Sequence, residues 1–281
     1  MLREFVEIIP FYLFLRLLRI FSFEKRVILG GLLLKIALPA VPKFRKRIKE
    51  NLKLVFPEMN AYQTKAFIAS NSEMIGRSFI ELMFNAEFQN KWDRIIYNKR
   101  ELQPIIEAKK NGKSIIIVSG HIGSWEAVRA VLKKNNLTTG ALYQKNQNRF
   151  YEKLHLNAIK MGGEPIFQVS PSGTKNMISF IKRGGSIALM IDQAVKDGTY
   201  IDFLGKPAKT SVSIANIAIK YNSLIIPAYG IRNAANKISV SFEAPIKLTN
   251  SLDITKAMNT SLEKTLLVSP TQWYWPHRRW K

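Results

Sequence analysis

The chain has 281 residues, 47% of them apolar, so it is long and apolar enough to bury a full core, and intrinsic disorder is excluded. Lysine and arginine number 43 against 20 acids, a net charge of +23 spread along the chain, which implies an anionic partner: nucleic acid, an anionic membrane surface, or a phosphorylated or acidic substrate. There is no cysteine, which excludes disulfides, thiolate nucleophiles and cysteine-ligated zinc, and imidazole chemistry is confined to His121, His155 and His277.

Residues 1–42 read as a membrane-anchoring helical segment and residues 43–281 as one catalytic domain. The apolar stretch 8–15 is interrupted by Arg16 and Arg19, and the stretch 27–34 by Lys35. No small-x-small cleavage site follows, so a cleaved signal is not expected. A spanning helix needs about 20 mostly apolar residues. The pattern therefore predicts one or two amphipathic helices lying in the interface, with a single span left open because terminal Lys and Arg can snorkel. The basic cluster Lys43, Arg45, Lys46, Arg47 and Lys49 then suits anionic headgroups on the cytoplasmic face. The competing reading is a solvated helix face beside a buried hairpin.

Helices are predicted over 44–56 and 60–86, broken at Pro57 and capped at Asn60. Phe67, Ile68, Met74, Ile75, Phe79, Leu82 and Met83 recur at helical spacing and read as core. From about residue 113 short β-branched runs alternate with helical stretches. Strands are predicted at 114–118, 142–143, 165–167, 187–191, 224–228 and 238–242. Helices are predicted at 124–135, 150–161, 173–182, 211–221 and 253–267. This alternation indicates an α/β sheet covered by helices on both faces. Repeats, low-complexity segments and Pro- or Gly-rich linkers are missing from the sequence.

The segment Val118-Ser-Gly-His-Ile-Gly-Ser-Trp-Glu-Ala127 carries the chemistry. A buried strand ends at Ser119, Gly120 permits a sharp turn, and His121 falls beyond the strand's carboxyl end, where open α/β sheets bind ligands. Gly123 or Ser124 is expected to cap the next helix, with Glu126 in its first turn and near His121. Such a pair suits acyl transfer to an alcohol. The imidazole takes the hydroxyl proton, the carboxylate fixes the tautomer, and backbone N–H groups at the helix start hold the oxyanion. The bland alternative is a capping loop with a structural histidine. No G-x-S-x-G, P-loop, G-x-G-x-x-G or H-E-x-x-H occurs, and three scattered histidines do not suggest a metal.

The segment resembles the bacterial lipid A biosynthesis acyltransferases, the lauroyl and myristoyl transferases, whose signature is G-H-x-G-x-W-E. The resemblance continues in Asn51-Leu52 to Phe56-Pro57 and in Gly76-Arg77 with Glu81. It extends through Asp192-Gln193, Gly198, Phe203, Gly205, Ala208 and Thr210, and through the terminal run Pro270 to Lys281. It implies a mixed central sheet flanked by helices, as in glycerolipid acyltransferases. His121 would be the general base with Glu126 its partner. It also implies an acyl-carrier-protein or coenzyme A thioester donor, an anionic glycolipid acceptor, no cofactor or metal, and the cytoplasmic side of the inner membrane. Ser119, Gly123, Trp125, Asn146, Arg149, Asp192 and Gln193 would bind substrate on the same grounds.

Asp192 follows a predicted strand and either holds a substrate hydroxyl, orients His121, or merely caps a turn. Lys206 and Lys209, in an expected loop over 203–210, and His277, Arg278 and Arg279 suit phosphates. Trp273, Trp275 and Trp280 suit a membrane interface, or else a tail packed on the sheet. His155 reads as an ordinary helix residue, and Glu81 as a structural partner of Arg77. The sequence departs from the family at Gln144, where an Arg is usual. Lys145 or Arg149 could replace its charge, but a lysine cannot reproduce the bidentate grip of Arg on phosphate. A lipid A precursor is the expected acceptor, with another membrane lipid, such as a phosphatidylinositol mannoside, a lysophospholipid or an ornithine lipid, as the alternative. A basic nucleic-acid-binding protein is the remote alternative. Its aromatic and basic residues are not interleaved in any nucleic-acid module, so no nucleic acid is expected.

Overall fold

A computed structural model describes residues 2–280. Helix α1 (Leu2–Leu18) leads through a short turn into α2 (Phe23–Ala40), which Ser22 caps by accepting from the backbone N–H of Lys25. Helix α2 lies along α4 (Ala61–Met83), and glycines make the close approach possible. A Cβ on Gly76 would come 2.7 Å from the carbonyl of Gly30. Phe23 and Val27 are buried in this contact, whereas Leu13, Leu17, Ile20, Phe21, Leu32, Leu33 and Ile36 remain exposed. The chain then bends by 88° into α3 (Pro42–Val55). No single helix among the described residues is long and apolar enough to cross a membrane, although α2 and α3 together are.

Asn60 starts α4 with a capping box shared with Gln63. The helix ends earlier than its apolar period suggests. It stops at Met83, and α5 (Asn85–Phe88) follows after Phe84. Then come β1 (Ile95–Tyr97), α6 (Gln103–Lys110), β2 (Ile115–Ser119), α7 (Ala127–Lys134), β3 (Gly140–Tyr143), α8 (Arg149–Met161) and β4 (Ile166–Gln168). The remainder is α9 (Pro171–Lys182), β5 (Ser186–Met190), β6 (Thr199–Phe203), β7 (Lys206–Thr210), α10 (Ser213–Tyr221), β8 (Leu224–Arg232), β9 (Ile238–Phe242) and α11 (Ser251–Val268).

Seven strands form one sheet in the order β1-β9-β8-β2-β5-β3-β4. Strands β8, β2, β5, β3 and β4 run parallel, and β9 joins β8 antiparallel with β1 parallel to β9, so the sheet is mixed, as the family resemblance implied. The centre is β2, whose five residues are all buried. Ile116 and Val118 enter one core and Ile115 and Ile117 the other, which is why the run is apolar at every position. The parallel register pairs Ser119 with Met190, and the Ile191 N–H continues the ladder to the Ser119 carbonyl. The two strands therefore end level, and His121 and Asp192 emerge side by side.

The expected loop over 203–210 is instead the turn and second strand of the β6–β7 hairpin. Leu204 and Gly205 both have positive φ, as a tight two-residue hairpin turn requires. The C-terminal segment after α11 crosses the carboxyl edge of the sheet, and Trp273 and Trp275 are 0% exposed there. They are core residues and not a membrane belt.

Candidate active site

Two chain reversals at the carboxyl edge of the sheet build the site. After β2 the chain turns at Gly120, where a Cβ would lie 2.7 Å from Leu262 and 3.5 Å from Asp192 Oδ2. Gly120 is needed for this close approach, since its φ lies outside the left-handed region. Gly123 does adopt positive φ (61°), and a Cβ there would strike the Gly230 carbonyl. After β5 the chain delivers Asp192, which is 0% exposed.

The His121 Nδ1 lies 2.8 Å from Asp192 Oδ1. A carboxylate only accepts, so Nδ1 carries the proton and Nε2 presents a lone pair. The His121 backbone N–H and the Trp273 indole N–H both donate to Asp192 Oδ2, at 2.8 and 2.9 Å. His277 Nε2 lies 3.4 Å from the same oxygen and 3.2 Å from His121 Nδ1. The carboxylate thus sits among three N–H groups and a ring nitrogen of His277. Burial would push its pKa up, but the charges and hydrogen bonds of His121 and His277 outweigh burial and hold it well below the usual carboxylate range. Burial also acts to lower the His121 pKa, yet Asp192 overcomes it and the imidazole is raised. Burial lowers His277, with Asp192 opposing. The His121 ring is a quarter exposed, flanked by Trp125 at 5.7 Å and Tyr274 at 6.4 Å between centroids. No hydrogen bond among the described residues engages its Nε2.

Glu126 stands elsewhere. The expected neighbour of His121 has its carboxylate bonded to Arg129 Nη1 at 3.0 Å and to Asn85 Nδ2 at 3.2 Å. Arg129 also donates to the carbonyls of Ile159 and Gly163, and Asn85 to that of Ala158. The pair therefore braces α5, α7 and the end of α8 together. The reason is local. Helix α7 begins only at Ala127, with Glu126 as its uncapped N-cap residue and the Ser124 hydroxyl unbonded. The predicted cap at Gly123 or Ser124 does not form, and the turn that would carry Glu126 back to His121 is not wound. The expected backbone oxyanion donors are also engaged. The N–H groups of His121, Ile122, Gly123 and Ser124 donate to Asp192, Gly120, Gln272 and Gly230.

The other expected site residues divide by position. Ser119 is the last residue of β2, and Gln193 follows Asp192 on the surface. Asn146 is tied to Glu152 and to His155 Nδ1, and His155 stacks on Tyr151. Arg149 is paired with Glu4 of α1 at 3.0 Å, while Gln144 and Lys145 are exposed. Lys206 and Lys209 lie on β7, and Lys209 reaches the Lys196 carbonyl and the Tyr200 ring. Arg279 is not a headgroup ligand. It is fully buried, donates to Lys209 O and Thr210 Oγ1, covers the Phe203 ring, and its pKa falls to about 10 through burial. Arg278 is exposed. Glu81 pairs with Arg232 at 2.8 Å and lies 3.9 Å from Arg94, whereas Arg77 pairs with Glu73. The motif's last residue, Lys281, lies outside the described residues.

Asn51 and Asn71 were missed as site-building residues. Asn51 donates to the carbonyls of Trp275 and His277, and Asn71 to those of Thr271 and Trp273. They pin the terminal segment over the site. The signal was present: each asparagine sits on the apolar face of its helix, beside Leu52 and near Ile68 and Ile75. Buried amides there demand partners from outside the helix.

The model of the family described as bacterial lipid A biosynthesis acyltransferase matches residues 2–281. A lipid A biosynthesis acyltransferase of Haemophilus influenzae is 24% identical over 245 residues, covering 83% of this chain and 76% of the relative. A lipid A biosynthesis lauroyltransferase of Escherichia coli is 22% identical over 264 residues, covering 90% of this chain and 84% of the relative.

Proposed function

The chain belongs to the bacterial lipid A biosynthesis acyltransferase family, and on that premise we propose that it moves a fatty acyl group from a thioester to a hydroxyl of a lipid A precursor, with His121 as base and Asp192 as its partner. The observation that carries this reading is the 2.8 Å contact between His121 Nδ1 and Asp192 Oδ1, which leaves Nε2 as the free lone pair at the sheet's carboxyl edge. As the acceptor oxygen attacks the thioester carbonyl, Nε2 takes its proton. Asp192 stabilises the imidazolium without itself being protonated. The tetrahedral intermediate collapses by breaking the carbon–sulfur bond, and the leaving thiolate recovers the proton from Nε2. No covalent enzyme intermediate is needed.

The donor is an acyl-carrier-protein or coenzyme A thioester and the acceptor an anionic glycolipid. The exposed apolar residues of α1 and α2 and the basic face of α3 support attachment to the cytoplasmic side of the inner membrane. The test supplies purified full-length protein with acyl-carrier-protein thioester and a Kdo-bearing tetra-acylated precursor. His121→Ala should abolish transfer, and transfer at the wild-type rate would overturn the mechanism. A second acceptor class is favoured by one observation. Gln144 stands where the family usually has arginine, and the nearby Arg149 is paired with Glu4. Mass spectra of membrane lipids from a deletion strain separate the two readings, since only the first predicts loss of an acyl chain from lipid A alone.

A further inference from the structure

We propose that His277 is a positioning residue of the acyl-transfer site: as a donor through Nε2 it completes the N–H shell of Asp192, packs edge-on against the His121 ring, and holds that ring with Nε2 toward the acceptor. This rests on the reading of His121 as base. The sequence alone assigned His277, with Arg278 and Arg279, to phosphate binding. The structure gives the three neighbours different surroundings. Arg279 is sealed beneath the hairpin, Arg278 faces solvent, and His277 is buried at the centre of the site.

The proton's position follows from what Nε2 meets. It faces Asp192 Oδ2 at 3.4 Å and His121 Nδ1 at 3.2 Å. Nδ1 already bears the proton given to Asp192 Oδ1. A bare lone pair on His277 Nε2 would oppose a carboxylate oxygen, and its only donor would be the His121 Nδ1–H already given to Asp192 Oδ1, so the hydrogen is assigned to Nε2, which donates. The ring sits perpendicular to its neighbours. Its centroid is 4.8 Å from His121 at 75° and 4.8 Å from Tyr274 at 66°. Its own carbonyl is held by Asn51, and the Tyr274 N–H donates to the His121 carbonyl. His277 is thereby fixed from α3, from its own segment and from the chain after β2.

Charge makes the neutral form the useful one. His121 becomes an imidazolium during the reaction, and a second cation at that distance would oppose it. The titratable groups facing His277 are Asp192 after β5, His121 after β2, and Tyr274 and Arg279 from its own segment. Those facing His121 are Asp192, His277 and Tyr274, and Arg47 of α3 acts on Tyr274. Burial keeps His277 below the usual imidazole pKa, with the single negative charge committed to His121.

The experiment pairs kinetics with direct observation of the tautomers. His277→Phe keeps the aromatic contact and loses the donor. Its kcat should fall about tenfold, a modest part of the ~10²–10⁴ that a general base supplies. KM for the acceptor should hold, and the acid limb of the pH profile should move to higher pH because Asp192, less neutralised, favours the His121 cation more. His277→Gln, which restores an N–H, should recover most of the rate and the limb. A rise in acceptor KM with unchanged kcat and unchanged limb would instead make His277 a substrate ligand and overturn the proposal, as would a wild-type profile in His277→Phe. The chain has only three histidines, so long-range ¹H–¹⁵N spectra of the wild-type full chain in micelles resolve each ring. They should show His121 protonated on Nδ1 and His277 on Nε2. A His277 protonated on Nδ1 with Nε2 bare would overturn the proposal even if the Phe variant fails to fold. Failure of the acyl-transfer reading itself would appear separately, as undiminished transfer by His121→Ala.

Discussion

Asp192 and Glu126 are both buried carboxylates near the carboxyl edge of one sheet, and their surroundings give them opposite uses. Glu126 meets a guanidinium and an amide that are themselves bonded to backbone carbonyls of α8 and the turn after it. Its charge is balanced by a permanent cation, so it holds elements together. Asp192 meets two imidazoles, an indole and a backbone N–H, none of them permanently charged. No permanent cation touches it, Arg279 acting on it only from beyond that shell, so within the shell its charge is balanced when a neighbouring imidazole takes a proton, which is the event that the proposed base catalysis requires. A buried carboxylate is thus structural or functional according to whether its counter-ion is fixed or made during the reaction.

That contrast can be broken most severely at Asp192. Asp192→Asn removes the charge and permits the wrong His121 tautomer, and transfer should fall by about 10³–10⁴ in kcat with the protein still folded. Steady-state rates beside a circular dichroism spectrum decide it, and a loss under tenfold would move the role away from Asp192. Next in size is Glu126→Ala, which strands the Arg129 cation. The expected cost is about 3–5 kcal/mol of stability, read from thermal or denaturant unfolding. Whatever fraction folds should keep the wild-type acid limb, and a displaced limb would make Glu126 part of the base.

The brace can also be tested through its neighbour. A Cβ at Gly162 would strike Glu126 Oε2 and lie 2.8 Å from Arg129 Nη1, so Gly162→Ala should cost about 1–3 kcal/mol of stability. An unfolding curve equal to wild type would show the brace to be slack. The Asp192 side has a pH signature. The base must be neutral, and the His121 pKa is raised from 6.5, so kcat/KM should decline as pH falls through a value above 6.5. The same shift means that His121 adds stability below pH 6.5, which is lost as pH rises through its folded pKa. In the residual activity of Asp192→Asn the acid limb should drop below that of wild type. An effect of similar size to the Gly162 change, but divided between two readouts, belongs to Trp273→Phe, which removes one donor from Asp192. A hydrogen bond to a charged group is worth about 1.5–3 kcal/mol, part of which appears as lost stability and part as an upward movement of the acid limb.

The fold was legible where periodicity is unambiguous. The buried run of β2 and the Asn60 cap stand where the pattern puts them, because an all-apolar strand and a side-chain cap are local facts. Strand β1 was not legible, since three residues without alternation carry no period, and the β6–β7 hairpin was hidden because Lys206, Pro207 and Lys209 do not read as strand. At the candidate site, the positions of His121 and Asp192 at strand ends were legible, because each follows an apolar run that reads as a buried strand. Glu126 was misplaced because spacing along the chain measures nearness only if the helix begins where expected, and here it begins at Ala127.

Composition and order of residues alone determined that this is a basic α/β protein with an apolar N-terminal segment, that its imidazole chemistry is confined to three residues, and that His121 lies at a strand end. Tertiary structure alone decided which carboxylate His121 meets. The level ending of β2 and β5 brings together residues 71 positions apart, while the short span to Glu126 turns away. It also decided that Trp273, Trp275 and Arg279 are core and that His277 faces Asp192, because burial and hydrogen-bond partners arise between segments that sequence separates. Charge and type were written in the chain, and the partner of each charge was settled by packing.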